Sequence, residues 1–267
     1  MSTHRGEDLA LAHRLADAAD AITLTRYQAL DLVVSTKPDN TPVTDADKSA
    51  EDAIRALLHA HRPNDGIVGE EFGTQGADKN RYWIIDPIDG TKNFLRGVPT
   101  WATLIGLMEK SPDGSEKVIV GVVSAPALFR RWYAYEGGGA FVIVNQEVPK
   151  KIHVSNVSNI EDASISHSDF LGWGERLTPF TDLMNSAWRT RAHGDFWSHM
   201  LVAEGAVEIA AEPKLALWDM AALDIIVREA GGRFTNMDGI DGSHGGSGLS
   251  TNAALHEYVV KALKVDS

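Results

Sequence analysis

Apolar positions recur at helical spacing between about residues 7 and 30, with Leu11, Leu15, Ala18, Ile22 and Ala29 along one stripe. That period predicts an amphipathic helix packed against a core. The pattern then lapses, because residues 35–42 are polar, hold two prolines and show no period, which reads as a loop. A second helix is predicted to open with Thr44 or Asp45 as its cap and to run through Leu58. Alternating apolar runs over residues 101–108, 118–123 and 131–135 predict strands of a mostly antiparallel sheet, with turns at Pro112-Asp113-Gly114 and Gly137-Gly138-Gly139. No helical pattern opens after the three glycines, so they read as a turn and not as a nucleotide-binding loop. Past Gln146-Glu147-Val148-Pro149 helices are expected over 178–185, 199–204 and 219–229, interleaved with short strands. The expected organisation is an α+β N-terminal domain, residues 1–145, followed by an α/β domain, residues 146–267.

One interruption of the pattern carries chemistry. Ile84-Ile85 reads as a buried strand, yet Pro87 forbids its regular continuation and Gly90 permits close backbone approach. Asp86 and Asp89 are therefore expected on the same side of a tight turn, with the N–H groups of Gly90 and Thr91 just beyond. Carboxylates suit a hard cation and bare amides suit an anion, a pairing that fits a phosphate held against metal. Asp-Pro-x-Asp-Gly is also a plain turn former. Two other acidic segments weigh against that bland reading: Gly69-Glu70-Glu71 after the apolar Ile67-Val68, and Trp218-Asp219 at the head of a helical run. Helix capping accounts for Asp219 alone and leaves the remaining acids unexplained.

Composition narrows the class. With 267 residues, 43% hydrophobic and 23% charged, the chain is long enough for one large or two modest cores. Its apolar runs stop far short of the roughly 20 residues of a spanning helix, and its N-terminus lacks the charged-then-apolar form of an export signal. The absence of cysteine removes disulfides, thiolate nucleophiles and zinc fingers, and a cytoplasmic setting is expected. A balance of 37 acids against 25 bases, net −12, disfavours nucleic acid and anionic membranes as partners. A small phosphorylated metabolite would have to be approached with the help of Mg²⁺.

Taken in order, Gly69-Glu70-Glu71, residues 86–94 and Trp218-Asp219-Met220-Ala221 resemble the motifs of the inositol monophosphatase family. The resemblance extends from the first helix through Ala230-Gly231-Gly232-Arg233-Phe234 to Ser250-Thr251-Asn252-Ala253-Ala254. It implies a phosphomonoesterase of α/β class, a layered α/β/α/β/α sandwich of the inositol monophosphatase and fructose-bisphosphatase type. It also implies two to three Mg²⁺ ions in each active site, usually a homodimer and usually inhibition by lithium. On the family pattern Glu70, Asp86 and the Ile88 carbonyl hold one ion, while Asp86, Asp89 and Asp219 hold a second, so that Asp86 bridges. Asp47 closes a loop that approaches the site in relatives and matches the ligand of a further ion; capping of the second helix is its rival reading. Two ions about 4 Å apart clamp the attacking and leaving oxygens of an in-line displacement. Glu70 with Thr91, or Asp47 with Thr91, is expected to orient and deprotonate the water, and the Gly90 and Thr91 amides to bind the phosphate beside Asp219. Lys92 either assists electrostatically or is a solvated surface lysine.

Substrate choice falls to Gly194-Asp195-Phe196-Trp197 and Glu212-Pro213, where an inositol phosphatase is expected to carry small neutral residues after the glycine. Asp195 and Glu212 suit an ammonium, and Phe196 or Trp197 suits a flat ring. The combination fits an amino alcohol bearing an imidazole and resembles the histidinol-phosphate phosphatase branch of the family. Core packing of either aromatic and N-capping by Asp195 are the competing structural roles, and His193 and His199 are read as structural. A broad inositol or sugar phosphate phosphatase is the second functional reading. A binding protein without turnover is the third, disfavoured by Thr91, since binding alone needs no hydroxyl beside the acids.

Overall fold

The computed structural model describes residues 3–38, 41–76 and 78–265. Helix α1 (Thr3–Arg26) buries Leu11, Ala12, Leu15, Ala16 and Ala19 along the predicted stripe. It ends at Arg26 and not near residue 30, because Gln28 turns to φ +61° and the Tyr27 ring packs against Phe94 and Trp101 at 5.6 and 5.4 Å. Burying an aromatic ring outweighs another turn of exposed helix. The segment expected to be a loop, residues 35–42, instead contributes to a short antiparallel hairpin of β1 (Val34–Thr36) and β2 (Pro42–Thr44). Strands of three residues are too short to leave a period in the sequence. Asp39 and Asn40, within that expected loop, lie outside the described residues. Helix α2 (Asp45–His61) follows directly, capped by Thr44, whose Oγ1 accepts from the N–H groups of Ala46 and Asp47 at 3.1 and 3.4 Å. Asp45 pairs with Arg26 at 2.8 Å.

Among the described residues, eight strands form the first sheet: β3 (Gly66–Gly69), β4 (Gly73–Gln75), β5 (Arg81–Asp89), β6 (Ala102–Lys110), β7 (Glu116–Ala125), β8 (Arg130–Tyr135), β9 (Gly139–Val144) and β10 (Lys150–Ile152). Their order is β10-β9-β8-β7-β6-β5-β3-β4, antiparallel except where β3 lies beside β5. The triple glycine is a turn, as expected, and leads into β9, a strand the sequence reading did not anticipate. A short helix, α3 (Thr91–Leu95), separates β5 from β6. The second sheet runs β12-β11-β13-β15-β14, from β11 (Ser164–Ser166), β12 (Arg189–Arg191), β13 (Ile209–Glu212), β14 (Gly232–Thr235) and β15 (Gly248–Asn252).

Helices complete five layers. Helices α1 and α2 cover one face of the first sheet, burying Leu15, Ile54 and Leu58 against Trp83, Ile85 and Ile105. Helices α5 (Asp195–Ala203) and α6 (Leu217–Glu229) fill the space between the sheets. Every residue from Met220 to Val227 is buried, the mark of a helix enclosed on all sides. Helices α4 (Leu177–Ser186) and α7 (His256–Ala262) close the far face of the second sheet through Phe180, Leu183 and Val259. The fold is the layered α/β/α/β/α sandwich. No helix among the described residues is long and apolar enough to cross a membrane.

Candidate active site

Strand β5 delivers the first two acids. In a regular strand residues three apart face opposite sides, which would split Asp86 from Asp89. Here the pairing with β6 slips between Asp86, opposite Leu104, and Asp89, opposite Ala102, so one extra residue sits on β5. This bulge, at Pro87 with its missing N–H, turns both carboxylates to the same side. The expected tight turn is thus a bulge inside a strand that continues through Asp89, and the turn proper falls at Gly90. Ile88 N–H donates to Asp86 Oδ1 at 3.0 Å, and the Ile88 carbonyl accepts the Thr91 hydroxyl at 3.0 Å. Gly90 takes φ +82°, and a Cβ there would stand 2.9 Å from the Thr100 carbonyl and 3.3 Å from Asp195 Oδ2.

Asp219 arrives from the head of α6. It occupies the third helical position and not the cap, and its Oδ2 accepts the Ala216 N–H at 2.7 Å. It caps and joins the cluster at once: oxygens of Asp86, Asp89 and Asp219 all lie within 4.8 Å of one another. Asp89 Oδ2 meanwhile accepts the Phe196 N–H at 2.7 Å. Burial and the neighbouring acids push the carboxyls of Asp86 and Asp89 well above the usual range, and burial holds Asp219 at about 6. Acids that resist ionisation together in so small a volume are suited to a multivalent cation, which removes that resistance.

Glu70 and Asp47 border the cluster. Glu70 sits close enough to raise Asp86, its N–H donates to the Ile85 carbonyl at 3.2 Å, and Lys37 Nζ bridges it to Glu71 at 2.7 and 2.6 Å. Asp47 Oδ2 completes the α2 capping box by accepting the Thr44 N–H at 2.8 Å, whereas its Oδ1 is buried with no hydrogen-bond partner. Capping therefore uses one oxygen of Asp47 and leaves the other unpartnered. Burial lifts Asp47 to about 6 and Glu71 to about 7.

Beyond the acidic cluster lie Asp195 and Glu212. Gly194, at φ +79°, holds the N-cap position that the sequence offered to Asp195; Asp195 is the first helical residue and itself lies at φ +49°. Its Oδ2 accepts from Asn93 Nδ2 at 2.9 Å, and burial lifts it to about 6, with the exposed Lys92 acting in the opposite sense. Glu212, at the end of β13, accepts the Ser168 hydroxyl and is lifted to about 8 by burial, against that hydrogen bond and with the added repulsion of Asp195 and Asp169. The Phe196 ring is in the core, 6.0 Å from Trp132, so Phe196 meets the site through its N–H. Trp197 is half-buried beside His193, ring centres 5.4 Å apart. His199 is wholly buried and bonded to Ser250, a structural role.

The sequence reading missed the supports. Glu51 accepts the N–H groups of Glu71 and Phe72 at 2.8 and 3.2 Å and pairs with Arg55 at 2.7 Å, all beneath the Glu70 loop. A Cβ on Gly69 would fall 1.9 Å from Glu51 Oε1. The signal was present: Glu51 and Arg55 lie four apart on the stripe of Ala50, Ile54 and Leu58, where a charge has no place without a partner. Nothing in the sequence pointed to Lys37, Asn93 or Ser168. A wide cleft of about 970 Å³ lies elsewhere, between the end of α1 and the β8–β9 hairpin, lined by Leu24, Phe129, Arg131 and Ile143. It contains none of the clustered acids, so chemistry and not size locates the active site.

The model of the inositol monophosphatase family matches residues 5–265. The chain belongs to the inositol monophosphatase family. Among its family relatives, the histidinol-phosphatase of Streptomyces coelicolor is 56% identical over 256 residues, 95% of this chain and 96% of that one. The histidinol-phosphatase of Mycobacterium tuberculosis is 54% identical over 262 residues, 96% and 98% of the two chains. An inositol monophosphatase structure from Zymomonas mobilis superposes with a TM-score of 0.85 at 29% identity, covering 99% of this chain and 100% of that one. The shared architecture thus spans both functional branches, and the difference between them has to be sought in the residues lining the site.

Proposed function

We propose that this chain is a Mg²⁺-dependent phosphomonoesterase that hydrolyses L-histidinol phosphate to L-histidinol and phosphate. The observation that carries the substrate is the pair of buried acids, Asp195 and Glu212, standing behind an already acidic metal cluster. A neutral polyol gains little from two further carboxylates, whereas a substrate ammonium neutralises both. The names of the two relatives above 50% identity support the same substrate.

In this reading the N-terminal half, residues 1–145, supplies most ligands and the C-terminal half, residues 146–267, completes the substrate pocket. Asp86, Asp89 and Asp219 would hold one Mg²⁺, Glu70, Asp86 and the Ile88 carbonyl another, and Asp47 Oδ1 a third. When bound, Mg²⁺ supplies Lewis-acid activation of water and charge stabilisation at the departing oxygen. Glu70, or alternatively Asp47, would accept the proton of the attacking water, and Thr91 Oγ1, anchored on the Ile88 carbonyl, would orient it. The amides at the start of α3 face the phosphate, since no intrahelical acceptor reaches them. Hydrolysis forms one bond from water oxygen to phosphorus, breaks the bond from phosphorus to the alkoxide oxygen, and returns a proton to that oxygen. The Trp197 ring takes the imidazole side of the substrate. A cytoplasmic homodimer inhibited by lithium completes the reading.

The deciding measurement is the ratio of kcat/KM for histidinol phosphate to that for inositol 1-phosphate, in wild type, Asp195→Asn and Glu212→Gln. Each amide should lower the ratio roughly ten- to hundredfold, the worth of one charge-assisted hydrogen bond. An unchanged ratio in both variants overturns the substrate and leaves a broad polyol phosphate phosphatase.

A further inference from the structure

Ser168 touches neither the metal acids nor α3, yet it joins the two carboxylates assigned to the substrate ammonium. Its Oγ accepts the Asp195 N–H at 2.9 Å and donates its proton to Glu212 Oε1 at 2.5 Å. A serine hydroxyl has one proton to give, so the direction of both bonds is set: Glu212 takes the proton and the Asp195 amide takes a lone pair. The two acids come from different elements, the first turn of α5 and the end of β13, and Ser168 lies on a third, two residues past β11. Asp195 also holds a left-handed backbone at φ +49°, a conformation that an L-residue keeps only when its surroundings impose it.

We infer that Ser168 is a positioning residue for substrate selectivity: its hydroxyl fixes the spacing and direction of the Asp195 and Glu212 carboxylates so that both face one cationic group. The inference rests on the ammonium reading of those acids and adds the device that aligns them. Asn93 acts from the opposite side, donating to Asp195 Oδ2 and to the Thr100 carbonyl, each at 2.9 Å. Asp195 is thereby held by its side chain from α3 and by its N–H from Ser168. Glu212 takes both a hydroxyl and a backbone hydrogen bond from Ser168, so losing the hydroxyl leaves a buried carboxylate one partner short and less firmly aimed. Ser168→Ala removes both bonds; Ser168→Thr keeps the hydroxyl.

The test is steady-state kinetics of wild type, Ser168→Ala and Ser168→Thr with Mg²⁺ on histidinol phosphate and inositol 1-phosphate, alongside Asp195→Asn and Glu212→Gln. Ser168→Ala should raise KM for histidinol phosphate about tenfold, with a smaller change in kcat and a matching fall in the selectivity ratio. Ser168→Thr should recover most of that loss. An alanine variant whose ratio equals that of wild type, or whose two substrates suffer alike, overturns the inference, because a merely structural serine would not discriminate between them. If the acid variants shift the ratio and Ser168→Ala does not, positioning fails alone; if none shifts it, the ammonium reading fails first.

Discussion

The N–H of Phe196 donates to Asp89 Oδ2 over 2.7 Å, joining the first turn of α5 to a metal acid on β5, 107 positions away. A helix start is favourable ground for a carboxylate, both for its free amides and for its dipole. The bond fixes one oxygen of Asp89 within the cluster it forms with Asp86 and Asp219. It also places Asp195, the residue before Phe196, at the edge of the acidic cluster, so the proposed substrate acid and the proposed metal acids meet at one helix terminus.

Asp86 is common to two of the three proposed ions, so Asp86→Asn should abolish most phosphate release. The loss should exceed the roughly 10- to 100-fold typical of removing a residue that merely supports a ligand. Because the native carboxyl is buried among like charges, the same change should raise the thermal midpoint of the metal-free protein at pH 8. Phosphate release and circular dichroism melting check both arms; near-normal turnover in a folded variant would sink the two-ion assignment.

Stability without metal should depend on pH in a definite direction. The raised carboxyls bind protons more tightly folded than unfolded, so their contribution is full below about pH 4 and is lost as pH climbs through about 6 for Asp47, Asp195 and Asp219, 7 for Glu71 and 8 for Glu212. Buried His199 and His256, lowered to about 3 and 4, act oppositely, costing stability as pH falls below 6.5. EDTA-treated protein should therefore melt progressively lower from pH 6 toward pH 8, at roughly 2–4 °C per kcal/mol for a chain of this size. Mg²⁺ should shrink the decline above pH 6. A midpoint that rises steadily from pH 6 to 8 without metal would contradict the electrostatics.

Glu51→Gln tests the support beneath Glu70. It removes the charge opposite buried Arg55 and weakens the grip on the Glu71 and Phe72 amides. We expect a loss of about 3 kcal/mol in stability and a fall of about 10- to 100-fold in Mg²⁺ affinity. Chemical denaturation and a Mg²⁺ titration of activity measure the two separately, and unaltered Mg²⁺ dependence would relieve Glu51 of any part in holding the ligand.

Gly90→Ala combines an unfavourable left-handed backbone with a collision against the Thr100 carbonyl at 2.9 Å. Gly114, at φ +87° with nothing within 4 Å, supplies the control. Both alanine variants should lose roughly 1–2 kcal/mol from backbone strain, but only Gly90→Ala should also lower kcat/KM, by tenfold or more. Equal activity in the two would mean that the turn tolerates displacement.

The sequence and the structure agree most closely where local patterns were long. The stripe of α1, the enclosed run of α6 and the strands at 101–108 and 118–123 were legible because their periods persist over several turns or pleats. The acids Glu70, Asp86, Asp89 and Asp219 were legible as motifs, yet their common facing depends on a bulge that only the β5–β6 pairing reveals. Hairpin β1–β2 and strand β9 were missed, the first for brevity and the second because its apolar run follows a glycine turn without a flanking signal. Phe196 shows the limit most plainly: its place in the sequence suggested a ring facing substrate, whereas the ring packs in the core beside Trp132 and the N–H reaches Asp89. Ser168 and Asn93 are ordinary polar residues until three separate segments meet.

Helix α6 is both the middle layer of the sandwich and the carrier of Asp219. During synthesis Glu70, Asp86 and Asp89 leave the ribosome long before it does, so a nascent chain carries an acidic cluster whose last member and whose packing partner are still missing. Turnover needs α6 seated between the two sheets, and β14 and β15 of the second sheet follow it in the chain. The enzyme is therefore switched on by its own completion, and a fragment ending before residue 217 should neither process phosphate esters nor hold the first sheet in its final form.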